Sequence, residues 1–242
     1  MSTKGADASW FQSVCLKNAL EVANVQVDLL EKYVAALLEW NQKVNLISRK
    51  DEQNIWERHI LHSVSLLFRL SVVANARLID LGTGGGLPGI PIKILIPTLS
   101  LTLVDSIKKK SQAVADIVRQ LSLTDVDVKC GRAEDLAWRK EFRNQFDYVI
   151  SRGVADLKQL IEWSYAFVRS PSYKLTSTAA TGAKALVKPG TLIALKGGNL
   201  EREVSLVRET KYVEKISVMD LRVESLDQSQ NPHREVVIVH FR

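Results

Sequence analysis

The densest chemical signal in the sequence is the segment Gly82-Thr83-Gly84-Gly85-Gly86-Leu87-Pro88-Gly89. It follows the β-type run Arg77-Leu78-Ile79-Asp80-Leu81 and precedes an apolar stretch, Ile90 to Leu95, that can begin a helix. Glycine tolerates positive φ and lets backbone N–H groups approach a ligand closely, and a helix N-terminus adds unpaired donors. Strand, glycine turn and helix start together make a nucleotide cradle. Gly84, Gly86 and Gly89 also satisfy GxGxxG, so the glycines alone leave the ligand open between a dinucleotide and other nucleotide-like molecules.

Three acids narrow the choice. Asp80 stands two residues before the first glycine, where a carboxylate can neutralise an ammonium group. Asp105 closes the next β-run, where it can accept from both hydroxyls of a ribose. Glu134, in Arg132-Ala133-Glu134-Asp135, follows the third run and is expected within reach of an adenine. Carboxylates suit a cationic sulfonium and would repel a pyrophosphate, so S-adenosylmethionine is favoured over NAD.

Other chemistry-bearing residues point less sharply. His59 and His62 lack further ligands at metal-site spacing, so no metal is expected. Lys108, Lys109 and Lys110 open a helical pattern, where the macrodipole disfavours cations by a few tenths of a kcal/mol. They read equally as an RNA contact and as a solvated helix end. Arg139, Lys140 and Arg143 read as ordinary surface charge, and Trp40 and Trp56 as core. Cys15 and Cys130 have no CxxC partner and read as buried apolar residues of a reducing compartment.

The elements that must position these residues follow from periodicity. Helical spacing joins Val14, Cys15, Ala19 and Val22, then Leu30, Tyr33, Val34, Leu37 and Leu38, then Ile55, Trp56, Ile60, Ser63, Leu66 and Leu67. Ser48 with Asp51 reads as a capping box opening the third helix. From Arg77 the pattern becomes β-runs alternating with amphipathic segments: Arg77 to Leu81, Leu101 to Asp105, Val126 to Cys130, Phe146 to Ser151, Thr191 to Lys196, Val213 to Met219 and Glu235 to Phe241. Helical faces fall between most of them, including Val114, Ile117, Val118 and Leu121, and Leu157, Leu160, Ile161 and Ser164. Such alternation implies a mainly parallel sheet covered on both faces.

The last two strands are joined by polar residues, Glu224 to Arg234, and are expected to be an antiparallel pair. A Ser/Thr/Ala-rich stretch from Arg169 to Ala183 reads as a surface loop. The expected organisation is an N-terminal helical cap, 1–72, packed as one unit with a Rossmann-like α/β domain, 73–242, whose mostly parallel sheet has seven strands.

The chain of 242 residues carries 33 Lys plus Arg against 27 Asp plus Glu, a formal charge of +6, and a pI near 9.3. That suits a polyanionic partner without requiring one. No export signal opens the sequence and no apolar run approaches the roughly 20 residues needed to span a bilayer, so a cytoplasmic protein with no membrane partner is expected.

The loop and its surroundings resemble the RsmG (GidB) family of bacterial 16S rRNA guanine-N7 methyltransferases. Trp40-Asn41 with Asn45-Leu46 and Ser48 is similar to the family's WN…NL.S signature, and Arg58-His59-Ile60-Leu61-His62-Ser63 to its RHxxDS. Further matches are Arg77 to Pro91, Asp105-Ser106 with Lys109 and Lys110, Arg132 to Glu134, Ser151-Arg152, and Leu195-Lys196-Gly197. They run in family order over roughly residues 30 to 240.

The resemblance implies the S-adenosylmethionine-dependent methyltransferase fold. It implies transfer to N7 of a guanine in the 530 loop of 16S rRNA, in naked RNA or a small ribosomal subunit. A monomer is expected. Cofactor contacts are then expected from Asp80, Gly82, Thr83, Gly84, Gly86, Leu87, Asp105, Ser106, Ala133, Glu134 and Arg152. RNA contacts are expected from Arg58, Lys109, Lys110, Arg132 and Lys196, and positioning from Arg152 and His59. The sequence departs from the family at His62, which occupies the acidic position of RHxxDS, at Gly85, at the His233-Arg234 pair, and in the length of the loop after Arg169.

Guanine N7 has a lone pair at neutral pH and needs no general base, and no acid–base triad is apparent. Ser151-Arg152-Gly153 is not the Asn/Asp-Pro-Pro-aromatic pattern of exocyclic-amine methylation, and Cys130 is poorly placed to be the thiolate of pyrimidine C5 attack. A small-molecule methyltransferase, an NAD-dependent oxidoreductase and a non-catalytic RNA-binding module stay open as alternatives.

Overall fold

The computed structural model describes residues 6–169, 184–197, 200–224 and 234–242. The Ser/Thr-rich loop expected after Arg169, most of the polar link between the last two strands, and His233 lie outside the described residues. Helix α1 (Ala8–Lys17) starts where the Asp7 side chain accepts the Trp10 N–H at 2.8 Å. It stops short of the predicted span, because Ala19 takes φ +56° and reverses the chain. Val22 is buried from the following turn. The long α2 (Asn24–Asn41) buries Leu30, Tyr33, Val34 and Leu37 on one face.

The third predicted helix is a composite. A 3₁₀ turn (Arg49–Asn54) leads into a π-helical turn (Trp56–Leu61), a single α-turn, α3 (His62–Val64), and a second 3₁₀ turn (Ser65–Phe68). The expected capping box is absent. Ser48 makes no side-chain cap, and the Asp51 carboxylate turns to Arg58 Nη1 at 2.7 Å. A π-turn shifts the side chains that follow it to a new angle, and such turns are frequent at functional sites.

Two short strands, β1 (Leu70–Ser71) and β6 (Ala185–Leu186), form a parallel pair of their own. The main sheet takes β2 (Arg77–Leu81), β3 (Ser100–Asp105), β4 (Val126–Cys130), β5 (Tyr148–Arg152), β7 (Thr191–Gly197), β8 (Val213–Asp220) and β9 (Arg234–Phe241) in the order β4-β3-β2-β5-β7-β9-β8. Only β9 runs against its neighbours. This is the expected seven-stranded, mostly parallel sheet with a C-terminal antiparallel pair.

Helices α4 (Gly89–Leu95) and α5 (Lys108–Gln120), with α1 and α2, cover one face. The short α6 (Ala133–Leu136), α7 (Leu157–Ser164) and α8 (Leu200–Val207) cover the other. Strand alternation sorts the core: Leu78, Leu101, Leu103, Ile150 and Ile193 face the first layer, while Ile79, Leu81, Val104, Val149 and Leu192 face the second. Chain order reverses between β2 and β5, which opens a crevice at their C-terminal ends.

The N-terminal helices share the first core layer and are tied to the crevice by polar bonds. Gln26 Nε2 donates to the last carbonyls of α4, Ile94 O and Leu95 O, both at 3.0 Å. Trp40 Nε1 donates to Asp116 Oδ2 at 2.9 Å, bridging α2 to α5. Asn41 Oδ1 accepts from the N–H groups of Leu46 and Ile47 and so seats Leu46. The fully buried Tyr33 hydroxyl donates to Gly85 O at 2.9 Å. Replacing Tyr33 with Phe leaves that buried carbonyl without its donor. The expected loss is about 1–2 kcal/mol, read as a lower urea midpoint at unchanged m-value; an unchanged midpoint would show that this bond contributes nothing.

Candidate functional site

The glycine loop is folded around one carboxylate. Asp80 is fully buried at the end of β2, and its Oδ2 accepts from Gly89 N–H at 2.9 Å and Thr83 Oγ1 at 2.8 Å. Gly89 must be glycine for this: a Cβ there would lie 2.6 Å from Leu103 Cδ2 and 2.8 Å from Asp80 Oδ2. The other oxygen, Oδ1, is buried without a partner. Burial pushes the Asp80 carboxyl up to about 6, against the Thr83 and Gly89 hydrogen bonds and the Arg152 charge, which pull it down. The loop therefore holds an acceptor that a cationic ligand would satisfy.

Asp105 faces the same loop from the end of β3. Its Oδ2 accepts the Gly84 N–H at 3.0 Å and its Oδ1 the Ile107 N–H at 2.8 Å. Gly84 has φ +57°, a left-handed conformation that frees its N–H for that bond. A carboxylate has about four lone-pair directions, so Asp105 keeps capacity for two further donors such as ribose hydroxyls. Ser106 is exposed just beyond it. Ala133 and Glu134 begin α6 past the end of β4, and Gly131 N–H is bound to Asp105 O at 3.0 Å, which draws that turn to the same rim. This set of acceptors fits a ligand with a cationic end, a ribose and a base.

On the other side of the crevice a pocket of about 470 Å³ is lined by His62, Arg152, Gly153, Val154, Leu195 and Lys196 among others. Val154 packs over Gly82, so pocket and loop are contiguous. Arg152, half-buried, donates from Nη2 to His59 Nδ1 at 3.0 Å. A guanidinium can only donate, so Nδ1 is the acceptor and the neutral ring carries its proton on Nε2. That nitrogen faces Asp51 Oδ2 at 3.5 Å.

Burial, reinforced by Arg152 and opposed by Asp51, lowers His59 to about 4. Burial, Arg152, Arg234 and His59 hold His62 well below the ordinary histidine range, and its buried Nε2 has no partner. Arg234 itself donates to Glu57 O at 3.4 Å. Both imidazoles are neutral at neutral pH, between two guanidiniums.

The residues expected to meet RNA divide. Lys108 and Lys109 are exposed and Lys110 half-exposed at the start of α5, on the rim beside Asp105. Arg132 is 72% exposed, 3.6 Å from Glu134. Arg58 is exposed but held by Asp51. Lys196 is turned inward, its Nζ bound to Glu203 Oε2 at 2.5 Å and Ala155 O at 3.0 Å. Glu203 also accepts the Leu157 N–H at 2.7 Å, so Lys196 holds α7 and α8 to the pocket wall.

The expectation of two buried cysteines is half corrected. Cys15 is buried and its thiol is pushed up to about 12 by burial, whereas Cys130, at the end of an edge strand, is exposed. Among the described residues no group of His, Cys, Asp or Glu can hold a metal ion, and no helix is long and apolar enough to cross a membrane. Sequence reasoning missed Asp51, Tyr33, Arg234 and Glu203, which act by holding other site residues. Their signal is positional only in three dimensions: Asp51 was legible as a capping residue, a role the π-turn displaces.

The family model described as rRNA small subunit methyltransferase G matches residues 26–236. A protein named ribosomal RNA small subunit methyltransferase G from Alkaliphilus oremlandii is 34% identical over 77% of this chain and 78% of its own length. One of the same name from Desulfitobacterium hafniense is 33% identical over 91% of this chain and 83% of its own. Among solved structures, a predicted O-methyltransferase from Agrobacterium tumefaciens superposes with a TM-score of 0.54 at 13% identity, over 76% of this chain and 80% of that one, a likeness of fold. The chain belongs to the rRNA small subunit methyltransferase G family and is a methyltransferase that uses S-adenosylmethionine.

Proposed function

We propose that the chain transfers the methyl group of S-adenosylmethionine to N7 of a guanine in 16S rRNA, in its 530 loop, acting as a cytoplasmic monomer. The observation that carries this reading is the pocket beside the glycine loop, lined by the neutral His62 and the Arg152 guanidinium, with His59 bound to Arg152 and the two lining carboxylates engaged, Glu203 by Lys196 and Asp156 by the Gln159 N–H. An acceptor with its own lone pair needs no general base. The relatives' names supply the RNA, and Lys108, Lys109, Lys110 and Arg132 supply cations for its phosphates on the rim across the crevice from the pocket.

The geometry supports the following roles. Asp80, Thr83, Gly84, Gly86, Leu87, Asp105, Ser106, Ala133 and Glu134 would hold the cofactor, which supplies an electrophilic methyl on a sulfonium. Gly82 brings Val154 against the loop. Arg152 has donors left after its bonds to His59 and can take guanine O6, leaving N7 exposed. His59 positions Arg152. His62 offers its unpartnered nitrogen to the base edge, since a buried polar atom without a partner costs about 1–3 kcal/mol until a ligand satisfies it. A base admitted to such a pocket must be unstacked from its neighbours. Lys196 acts through Ala155 and Glu203 rather than on RNA directly.

Incubating the protein with S-adenosylmethionine and small ribosomal subunits lacking the modification should create one site in 16S rRNA that is cleaved after borohydride and aniline treatment. Methyl transfer to small metabolites and none to RNA would overturn the reading.

Asp80 gives a second expectation. A carboxyl whose folded value is raised from 3.8 to about 6 contributes stability below pH 4 that is lost as pH rises to 6. That is roughly 3 kcal/mol at full ionisation. Asp80→Asn should lack this loss, so the stability difference between variant and wild type should shift in the variant's favour from pH 4 to 6. An ammonium group satisfying Asp80 should also expel up to about half a proton per cofactor bound at pH 6. Calorimetry in buffers of different ionisation enthalpy reads that release; its absence in wild type, or its survival in Asp80→Asn, would remove Asp80 from cofactor binding.

A further inference from the structure

A second cleft lies at the opposite end of the sheet. Its volume is about 210 Å³, and it is lined by Trp138, Arg143, Tyr165, Arg169, Phe241 and Arg242 among others, with no acidic residue among the described residues lining it. Its position follows from strand direction. Arg169 N–H bonds to Phe146 O just before β5 begins, and Arg242 follows β9, whose end lies beside the start of β7. The methyl-transfer crevice is at the other ends of these strands, about 20 Å away by strand rise.

The cleft is rigidly built. Phe142, Phe146 and Phe167 pack edge to face and stacked beneath it, with ring centres 6.1–6.4 Å apart. Asn144, Gln145 and Phe146 donate their N–H groups to Ala166 O and Phe167 O at 2.9–3.0 Å. On this base Trp138 stands 64% exposed, with Arg143 stacked over one face of its ring at 5.0 Å. Tyr165 stacks on Tyr212 at 4.0 Å, and Arg242 is aligned by its Nε bond to Val213 O at 3.0 Å. Arg169 is 3.6 Å from the buried Asp147 carboxylate.

We propose that this cleft is a second RNA contact, gripping an unpaired nucleotide with its base on the open face of Trp138 and its phosphate against Arg143 and Arg242. The inference rests on the rRNA reading of the main site. Exposed indole beside forked guanidiniums is the chemistry of single-stranded nucleic acid, where base stacking contributes about 1–3 kcal/mol and arginine recognises phosphate bidentately. A ribosomal RNA is large enough to touch both ends of the sheet. Arg143, which looks like plain surface charge in the sequence, becomes part of a ligand-sized site because Trp138 is turned outward beside it.

The test uses the full chain with Trp138→Ala, Arg143→Ala/Arg242→Ala and the rescue variant Trp138→Phe. Affinity for S-adenosylmethionine and kcat on small subunits should be unchanged. KM for subunits and Kd for a single-stranded oligoribonucleotide should rise about tenfold in Trp138→Ala and recover in Trp138→Phe. The double arginine variant should lower the slope of log affinity against log salt by about one to two. KM, Kd and salt slope all within twofold of wild type would overturn the proposal. So would a loss confined to subunits with protein-free rRNA unaffected, which would assign the cleft to a ribosomal protein. If wild type transfers no methyl to RNA the main reading fails instead, while oligonucleotide affinity still tests the cleft.

Discussion

One oxygen atom, Oδ2 of Asp80, joins the three parts of the cofactor cradle. It belongs to the penultimate residue of β2, it binds the hydroxyl of Thr83 within the loop, and it binds the first N–H of α4 at Gly89. Strand, loop and helix are thereby locked before any ligand arrives. The lock explains the chemistry of its surroundings. Gly89 has no room for a side chain, and Tyr33 steadies the loop from outside through Gly85 O. Leu37 and Leu46 press on Gly85, where a Cβ would lie 2.7 Å from Leu37 Cδ1, and Leu46 is itself seated by Asn41. The helical layer is thus part of the cradle's support.

The same buried acid takes part in the electrostatics of the crevice. Asp80 and Arg152 act on each other through the low-dielectric interior, while burial, reinforced by Arg152, holds His59 and His62 in their neutral forms. Asp51 opposes this at His59 and fixes the ring from its other side. The result is a wall whose imidazoles are poor proton acceptors and whose Glu203 carboxylate is engaged by Lys196 and the Leu157 N–H. Such a wall favours an acceptor atom that brings its own lone pair and disfavours chemistry that must first remove a proton.

The sheet was largely legible because burial on both faces leaves continuous β-branched and apolar runs in its central strands, as at β2, while the edge strand β4 shows alternation instead; at both, the sequence runs give the observed bounds. The glycine loop and its acids were legible because backbone geometry restricts those positions to those residue types. The composite third helix was not. Its apolar positions fit 3.6-residue spacing over short stretches, and nothing in that spacing distinguishes a π-turn from an α-turn. The turn is nonetheless what carries Arg58 and His59 to Asp51. The β1 and β6 pair is too short to show a period. Arg152 and His59 were each legible as site residues, but their contact spans 93 positions. Lys196 misleads for a related reason, since its partner Glu203 lies on a helix whose packing angle the sequence does not reveal.

Net charge taught less than the placement of charge. Several cations are engaged internally: Lys93 is buried and donates to Pro97 O and Leu99 O, Lys196 pairs with Glu203, and Arg152 and Arg234 bind a ring nitrogen and a backbone carbonyl. These contribute to the formal +6 but not to a surface that attracts RNA. The exposed cations at Lys108 and Lys109 pay a small helix-dipole penalty, which is easiest to understand if something anionic offsets it. Arg143 presents its charge beside an exposed indole at the other end of the strands. Exposed cations therefore lie at both ends of the sheet, Lys108 and Lys109 at one and Arg143 at the other. On the proposed reading, a polyanion larger than the protein would meet both ends with the sheet's length between them, so the sheet would fix the spacing of the contacts as well as the geometry of the transfer.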